Sequence, residues 1–139
     1  TYYANASASA AAVVHNAQGE LLLVRRAFAP AAGTLCFPGG FAEHGESLET
    51  TCLRELQEET GLHGHAPKFL FSLPNLYVYS ELTVHTLDSF FAVSVDDETA
   101  LFADDDASAE EWHPLSPDLL DGIALSSHRE ALRRLLKNS

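Results

Sequence analysis

Two adjacent segments in the first half of the chain carry its most informative pattern. Residues 39–46 have the sequence GGFAEHGE, and residues 54–62 have the sequence RELQEETGL. The stretch from Ser47 to Thr60 contains neither Pro nor Gly, Ser47 is a suitable N-cap, and Gly61 follows as a stop signal. The sequence therefore predicts a glycine-containing loop that leads into one helix.

The end of this predicted helix carries three carboxylates on one side. At about 100° per residue, Glu58 lies near −60° and Glu59 near +40° from Glu55, so the three share one sector of about 100°. Like charges at this spacing repel, and the helix dipole disfavours anions at a C-terminal end. These costs are consistent with a bound cation, and clustered carboxylates suit Mg²⁺ or Mn²⁺. For three Glu taken alone, a solvated acidic face is the alternative.

The complete spacing overturns that alternative. The order is Gly40, five residues, Glu46, seven residues, Arg54-Glu55-Leu56, one residue, Glu58-Glu59, one residue, Gly61-Leu62. With residue frequencies of about 7% at the fixed positions, a chance match at one start point is on the order of one in 10⁹. The pattern resembles the complete signature of the Nudix hydrolases, and the resemblance extends more loosely over most of the chain.

The resemblance implies an architecture and an activity. Members of this family have an α/β fold, an α/β/α sandwich built on a mixed β-sheet, and we expect residues 1–139 to form a single domain of this kind. Members hydrolyse a nucleoside diphosphate linked to another moiety, and they use a divalent metal, here Mg²⁺ or Mn²⁺. Many members form homodimers, although no residue in this sequence specifies one.

The same resemblance assigns roles to residues of the motif. The metal ligands would be three carboxylates and one carbonyl oxygen, namely Glu55, Glu58, Glu59 and Gly40. Arg54 and Glu46 would pair and orient the catalytic end of the helix. Glu55 is also a candidate to position or deprotonate the attacking water. Glu43, in the loop, is a candidate substrate residue, with a supporting role as the alternative.

A further acidic ligand from a late loop is common among relatives. We favour Asp106, which stands six residues before Trp112, close to where the NADH pyrophosphatase branch carries a ligand; Glu110 is second. For each candidate taken singly, a solvated loop charge is the alternative. The candidates are Asp96, Asp97, Glu98, Asp104, Asp105, Asp106, Glu110 and Glu111.

The segment from Ser72 to Ser80 bears on the substrate. NADH-cleaving relatives have the string SQPWPFPxS, and the corresponding residues here are SLPNLYVYS. Both serines and one proline match, while the Gln, the Trp and two prolines are missing, so the chain resembles a branch related to the NADH pyrophosphatases. Tyr77 is a candidate to stack on a base, with a core role as the alternative. Arg25 and Arg26, after a predicted strand, are candidates for phosphate contacts, with a solvated strand end as the alternative.

Composition and charge restrict the partners. The chain has 139 residues, 46% of them hydrophobic, and a net charge of −12, which is a globular composition that repels nucleic-acid backbones. We therefore expect a small-molecule nucleotide substrate and no direct nucleic-acid binding. No apolar run approaches the ~20 residues of a membrane span, and we expect a cytoplasmic protein with no membrane contact. Cys36 and Cys52 are expected to stay reduced.

Periodicity and turn signals predict the remaining elements. Strands are expected at residues 11–15, 21–25, 68–73, 82–95 and 111–115, and helices at residues 47–60 and 127–137. Residues 27–40 contain two Pro and three Gly and are expected to be irregular. Leu48, Cys52 and Leu56 form an apolar stripe that should pack on the sheet.

The sequence thus predicts metal-dependent hydrolysis of a diphosphate linkage, in a dinucleotide such as NADH or in ADP-ribose. A nucleoside triphosphate pyrophosphatase is the first alternative. A catalytically silent domain that senses a nucleotide is the second, and the intact set of carboxylates argues against it. An interaction domain with an incidental acidic helix is the third.

Overall fold

The computed structural model describes residues 5–27, 32–79, 82–96 and 110–138, without the side chains of residues 77–79, 82 and 110. In chain order the strands of these ranges are β1 (Ser7–Val13), β2 (Leu21–Arg25), β3 (Leu35–Cys36), β4 (Gly39–Phe41), β5 (Gly64–Tyr79), β6 (Leu82–Val95) and β7 (Glu110–His113). The helices are α1 (Leu48–Thr60), a 3₁₀ helix (Pro117–Gly122) and α2 (Ser126–Lys137).

The strands form two sheets that carry a helix on each side. The larger sheet has the order β4–β1–β6–β5, and it is mixed because β1 runs parallel to β6 while the other pairs are antiparallel. The smaller sheet has the order β3–β2–β7 and is antiparallel. Alternate residues of β1 enter different cores: Ala10 and Ala12 pack with α1, whereas Ala11 and Val13 pack with α2. The predicted α/β/α sandwich with a mixed sheet is confirmed.

Helix α1 has the boundaries that its local chemistry predicts. The Ser47 hydroxyl accepts a hydrogen bond from the Thr50 backbone N–H at 3.1 Å, and Gly61 ends the helix at a φ of 83°. Cys52 and Leu56 are fully buried against the sheet, with Leu48 packed beside them. The apolar stripe therefore fixes which side of α1 faces inward and leaves its carboxylates on another side.

The second core lies between the sheet and α2. Phe37 and Phe90 pack edge to face with ring centroids 5.7 Å apart, and Leu132 of α2 is fully buried in the same cluster. Cys36 and Cys52 are both buried free thiols, as expected. They lie in separate hydrophobic clusters.

Several elements differ from the sequence prediction. Residues 27–40 were expected to be irregular, but they include β3 and β4, which have only two and three residues and exist through pairing with β2 and β1. Strand β5 has 16 residues, far more than predicted, and continues through Pro67 and Pro74. It tolerates these prolines because it lies at the edge of its sheet and shifts register between His65 and Lys68.

Across the ranges that the structure describes, no helix combines the length and the apolar character needed to cross a membrane.

Candidate active site

Strand β4 brings two glycines against the C-terminal half of α1. Gly39 pairs with Ala11 and Gly40 with Ala10 of β1. A Cβ on Gly39 would collide with the Ala10 carbonyl oxygen, and a Cβ on Gly40 would lie 2.5 Å from Glu55 Cδ. Position 39 therefore requires glycine because backbone atoms of β1 occupy that space, whereas a side chain at position 40 would displace the Glu55 carboxyl group.

Arg54 of α1 forms hydrogen bonds both to the loop before the helix and to the carboxylates on the helix. Its Nε donates to Glu46 Oε2 at 2.6 Å, and its Nη2 donates to Glu46 Oε1 at 3.0 Å and to the Phe41 carbonyl at 3.2 Å. Its Nη1 donates to Glu55 Oε1 at 2.9 Å and to Glu58 Oε2 at 3.2 Å. The guanidinium hydrogen bond holds the pKa of Glu46 at about 2, so Glu46 stays ionised as the anchor of this network. Arg54 and Glu46 thus form an ion pair, while their role in orienting the catalytic end of the helix stays a prediction.

Glu55 and Glu59 form a hydrogen-bonded carboxyl pair. The Gly39 backbone N–H donates to Glu59 Oε2 at 2.9 Å, and the carboxyl groups of Glu55 and Glu59 are within hydrogen-bonding contact. Burial raises the pKa of Glu59 to about 8, helped by the negative charge of Glu55, and burial also raises the pKa of Glu55. Burial therefore favours the neutral form of Glu59.

Glu58 has a different environment from its two neighbours. Its side chain is 59% exposed, and its Oε2 faces Arg54. Across the described ranges, no three His, Cys, Asp or Glu side chains are already arranged to hold a metal ion. The structure thus brings Glu55 and Glu59 together next to Gly40, with Glu58 turned towards the guanidinium.

The donor set nevertheless fits a hard divalent ion. Oxygen atoms of Glu55 and Glu59, with the backbone of Gly40 beside them, are the ligand type that Mg²⁺ and Mn²⁺ prefer. A divalent cation would be bound by both side chains as carboxylates, because metal ligands bind in their deprotonated form. Glu58 is exposed and on the same helix side, so a rotation of its side chain would add a third carboxylate.

A cavity of about 200 Å³ opens beside these groups. Its walls come from both sheets, from the two residues that follow β2, and from α1 and α2. They include Ser9, Val24, Arg26, Cys36, Phe37, Gly40, Glu59 and His128. Because Gly40 and Glu59 belong to both the cavity and the carboxylate cluster, a ligand in the cavity would lie next to that cluster. Sequence reasoning missed Ser9 and His128, which no local motif marks.

Arg26, not Arg25, lines this cavity. Arg25 Nε and Nη2 donate to the carboxylate of Glu111 on β7, at 2.9 and 3.2 Å, and Nη1 donates to the Gly33 carbonyl at 2.8 Å. Side-chain alternation along β2 could have predicted this difference, because Arg26 lies on the same face as Val24 and Arg25 lies on the opposite face. The expectation of a substrate contact at Arg25 therefore finds no support in this geometry.

The other predicted site residues have varied positions. Glu43 is 70% exposed, and its Oε1 lies 4.0 Å from Arg54 Nε, which suits a supporting role. Tyr77 lies in β5, but its side chain is outside the described atoms, and Asp106 is outside the described residues. Two of the late acidic candidates already have partners. Asp96 Oδ1 lies 2.9 Å from His65 Nε2, and the Glu111 carboxylate contacts Arg25 and His113.

Replacement of Gly40 with alanine tests the contact with Glu55. We expect Gly40→Ala to displace the Glu55 carboxyl group and to lower kcat/KM for a diphosphate substrate at least tenfold, with little change in the melting temperature. Steady-state kinetics and thermal unfolding would measure the two effects. Gly122→Ala is the matched control, because its Cβ would only reach ordinary contact with Leu35 Cδ1 at 3.5 Å. Unchanged kinetics in Gly40→Ala would contradict this placement.

His128 gives the stability of the fold a pH dependence. It is 7% exposed, and burial lowers its pKa to about 4, with Arg26 acting in the same direction and Asp88 in the opposite one. An unfolded chain has a histidine pKa of about 6.5, so between these values the unfolded state binds more protons. The free energy of unfolding should therefore fall as the pH drops from 6.5 to 4, by at most about 1.4 kcal/mol per pH unit from this group.

Urea unfolding at a series of pH values would measure this dependence. His128→Gln should lack the part of the pH dependence that comes from this histidine. The difference in unfolding free energy between wild type and the variant should therefore shrink as the pH falls from 6.5 to 4. A difference that stays constant from pH 7.5 to pH 4 would contradict the prediction.

Comparisons with known proteins bear on the family and the fold of the chain. A family model described as NUDIX domain matches residues 6–137. The chain is 46% identical over 43 residues, 31% of its length, to an ADP-ribose pyrophosphatase of Methanocaldococcus jannaschii, of which this covers 25%. It is 44% identical over 54 residues, 38% of its length, to an 8-oxo-dGTP diphosphatase of Escherichia coli, of which this covers 42%. The matched segments thus span less than half of these relatives.

Solved structures extend the likeness to nearly the whole chain. The NUDIX domain of Shewanella oneidensis NrtR, solved in complex with ADP ribose, superposes with a TM-score of 0.77. The match has 23% identity and covers 98% of this chain and 90% of that one, so it shows a shared fold. Since the family model covers almost every residue, the chain belongs to the NUDIX domain family.

Proposed function

We propose that this protein is a pyrophosphohydrolase that cleaves the diphosphate linkage of a nucleoside diphosphate derivative and depends on Mg²⁺ or Mn²⁺. The observation that carries the proposal is the Glu55–Glu59 carboxyl pair, placed against Gly40 and open to the neighbouring cavity. Family membership and the names of the two relatives support it. The family generally uses divalent metals, and the donor set fits one.

The motif residues have different proposed roles in this reaction. Glu55, Glu58 and Glu59, together with the Gly40 carbonyl, would hold the cation, which when bound neutralises diphosphate oxygens and makes a coordinated water more acidic. Arg54, anchored by Glu46, orients the end of the helix that carries these carboxylates. Glu55 is the candidate to position or deprotonate the attacking water. An acidic residue of the late loop, Asp106 first, is proposed as a further ligand.

The cavity limits the part of the substrate that can be enclosed. A volume of about 200 Å³ is below the ~300–1,000 Å³ of sites that surround a whole drug-sized ligand. Phe37 and Val24 give it apolar walls, and Arg26 adds a cation. We therefore place one ring system of the substrate in the cavity and the diphosphate over the carboxylates.

ADP-ribose is the favoured substrate because one relative is named an ADP-ribose pyrophosphatase. NADH ranks behind it, since the string after Ser72 lacks most of the NADH-type residues. A nucleoside triphosphate pyrophosphatase is the second candidate, supported by the likeness to an 8-oxo-dGTP diphosphatase. A homodimer and a cytoplasmic location remain parts of the proposal.

A hydrolysis panel tests the proposal. ADP-ribose, NADH, diadenosine polyphosphates, dGTP and 8-oxo-dGTP would be incubated with the full chain and Mg²⁺ or Mn²⁺. Release of a nucleoside monophosphate and a sugar phosphate supports the favoured activity, while release of inorganic pyrophosphate supports the second. No turnover of any member at saturating metal would contradict both.

A further inference from the structure

Arg25 connects two segments at the end of the smaller sheet, on the side away from the cavity. Its Nε and Nη2 donate to the two carboxylate oxygens of Glu111 on β7, at 2.9 and 3.2 Å. Its Nη1 donates to the carbonyl oxygen of Gly33, just before β3, at 2.8 Å. His113 Nε2 lies 2.8 Å from Glu111 Oε1, so this carboxylate is held by a second partner. The planar guanidinium therefore fixes the position of Gly33 relative to β7.

Gly33 in turn holds the backbone of Arg26. The Gly33 N–H donates to the Arg26 carbonyl at 2.7 Å, and the Arg26 N–H donates to the Thr34 carbonyl at 2.8 Å. Gly33 has a φ of 85°, a conformation that glycine adopts without strain. Because the carbonyl of Gly33 is bound by Arg25 and its N–H is bound to Arg26, a displacement of the Arg25 side chain would be transmitted to the Arg26 backbone.

The side chain of Arg26 lies where the cavity meets the carboxyl pair. Arg26 and Glu59 both line the cavity. Burial raises the pKa of Glu59 to about 8, and the charge of Arg26 acts in the opposite direction, so the guanidinium is close to this carboxyl group. A diphosphate placed over the carboxylates would present its oxygens to this guanidinium, which suits charge-assisted hydrogen bonds.

Stability alone does not account for the arrangement around Arg25. The Arg25 side chain is 45% exposed and that of Glu111 is 30% exposed, and ion pairs with this exposure contribute little to stability. Building on the proposed function, we propose that Arg25 is a positioning residue, which acts through Gly33 to hold Arg26 beside the diphosphate of the substrate. Arg25 itself contacts neither the substrate nor the metal.

Four substitutions separate this role from its alternatives. Arg25→Lys keeps the charge, but one ammonium group cannot reproduce the fork that reaches both Glu111 oxygens and the Gly33 carbonyl. Glu111→Gln keeps the shape of the side chain and removes the charge that anchors the fork. Arg26→Gln removes the proposed diphosphate contact itself. Arg133→Lys is the matched control, since Arg133 is a half-exposed arginine with an ion pair on α2.

Equilibrium binding of ADP to the full chain with Mg²⁺ tests the proposal, because ADP carries a diphosphate. We expect Arg26→Gln to raise the dissociation constant about tenfold, and Arg25→Lys and Glu111→Gln to raise it about three- to tenfold, as expected for one charge-assisted hydrogen bond. The double variant Arg25→Lys/Arg26→Gln should bind like Arg26→Gln alone, because Arg25 acts only through Arg26. Arg133→Lys should bind like wild type, and the melting temperatures should change little.

Two binding results would overturn the proposal. One is an unchanged dissociation constant in Arg25→Lys or in Glu111→Gln. The other is a double variant in which the two losses multiply, which would indicate that Arg25 contacts the ligand independently. Glu111→Gln keeps the test valid should Arg25→Lys be unstable, since it loosens the same fork.

A measurement without ligand keeps this proposal separate from the proposed function. The NMR signal of the Arg26 Nε–H, identified by its absence in Arg26→Gln, should shift and broaden in Arg25→Lys but not in Arg133→Lys. An unmoved signal would reject the positioning role even if wild type does not bind ADP. The expected pattern of ADP binding without hydrolysis of any panel member would reject the proposed activity alone.

Discussion

Glu58→Gln is expected to lower kcat/KM for ADP-ribose at least a hundredfold at saturating Mg²⁺ and to leave the fold intact. The change keeps the shape of the side chain and removes one of the three negative charges proposed to hold the cation. A hundredfold loss corresponds to about 2.7 kcal/mol of transition-state stabilisation, which is within what a charge next to a metal-bound diphosphate contributes. Stability should change little because the side chain is 59% exposed and has a single described partner, Arg54.

Steady-state kinetics together with urea unfolding would measure both parts of this prediction. Glu49→Gln is the matched control, since Glu49 is an exposed glutamate in the first turn of the same helix. It should retain wild-type kinetics. Activity within twofold of wild type in Glu58→Gln would remove Glu58 from the proposed ligand set.

Arg54→Lys is expected to lower kcat/KM about ten- to a hundredfold and to raise the Mg²⁺ concentration that gives half-maximal activity. Lysine keeps the charge, but it cannot form the fork that reaches Glu46 with two nitrogens while a third contacts Glu55 and Glu58. Losses of this size are usual when a group that orients metal ligands is changed. The carboxylates would lose their common orientation.

The metal dependence separates a positioning role from a purely structural one. A variant that is only less stable should keep the Mg²⁺ requirement of wild type in its folded fraction. Arg133→Lys serves as the control, because Arg133 is half exposed and its Nη1 lies 3.4 Å from Glu130 on α2. Wild-type metal dependence in Arg54→Lys would be evidence that Arg54 does not orient the ligands.

The features predicted correctly from sequence are those set by local chemistry. Helix α1 begins at its serine cap and ends at Gly61, and its apolar stripe faces the sheet, because caps and periodicity act within a few residues. The Arg54–Glu46 pair follows from the spacing of the motif. The α/β/α layering follows from one helix on each side of a mixed sheet.

The features that sequence reasoning missed depend on contacts distant in the chain. Strands β3 and β4 are too short to show a period, and β5 extends because β6 pairs along its whole length. No residue near His128 in sequence indicates that its Nδ1 accepts a hydrogen bond from the backbone N–H of Phe37, 91 positions away. Alternation along β2 places Arg25 and Arg26 on opposite faces, but the sequence does not show which face borders the cavity.

Anomalous diffraction from crystals soaked in Mn²⁺ tests the central claim most directly. We expect a peak bounded by carboxylate oxygens of Glu55, Glu58 and Glu59 and by the Gly40 carbonyl, with the Glu58 side chain rotated away from Arg54. An anomalous map without a peak at these oxygens, from crystals that hold Mn²⁺ elsewhere or in a soak that sustains hydrolysis in solution, would contradict it.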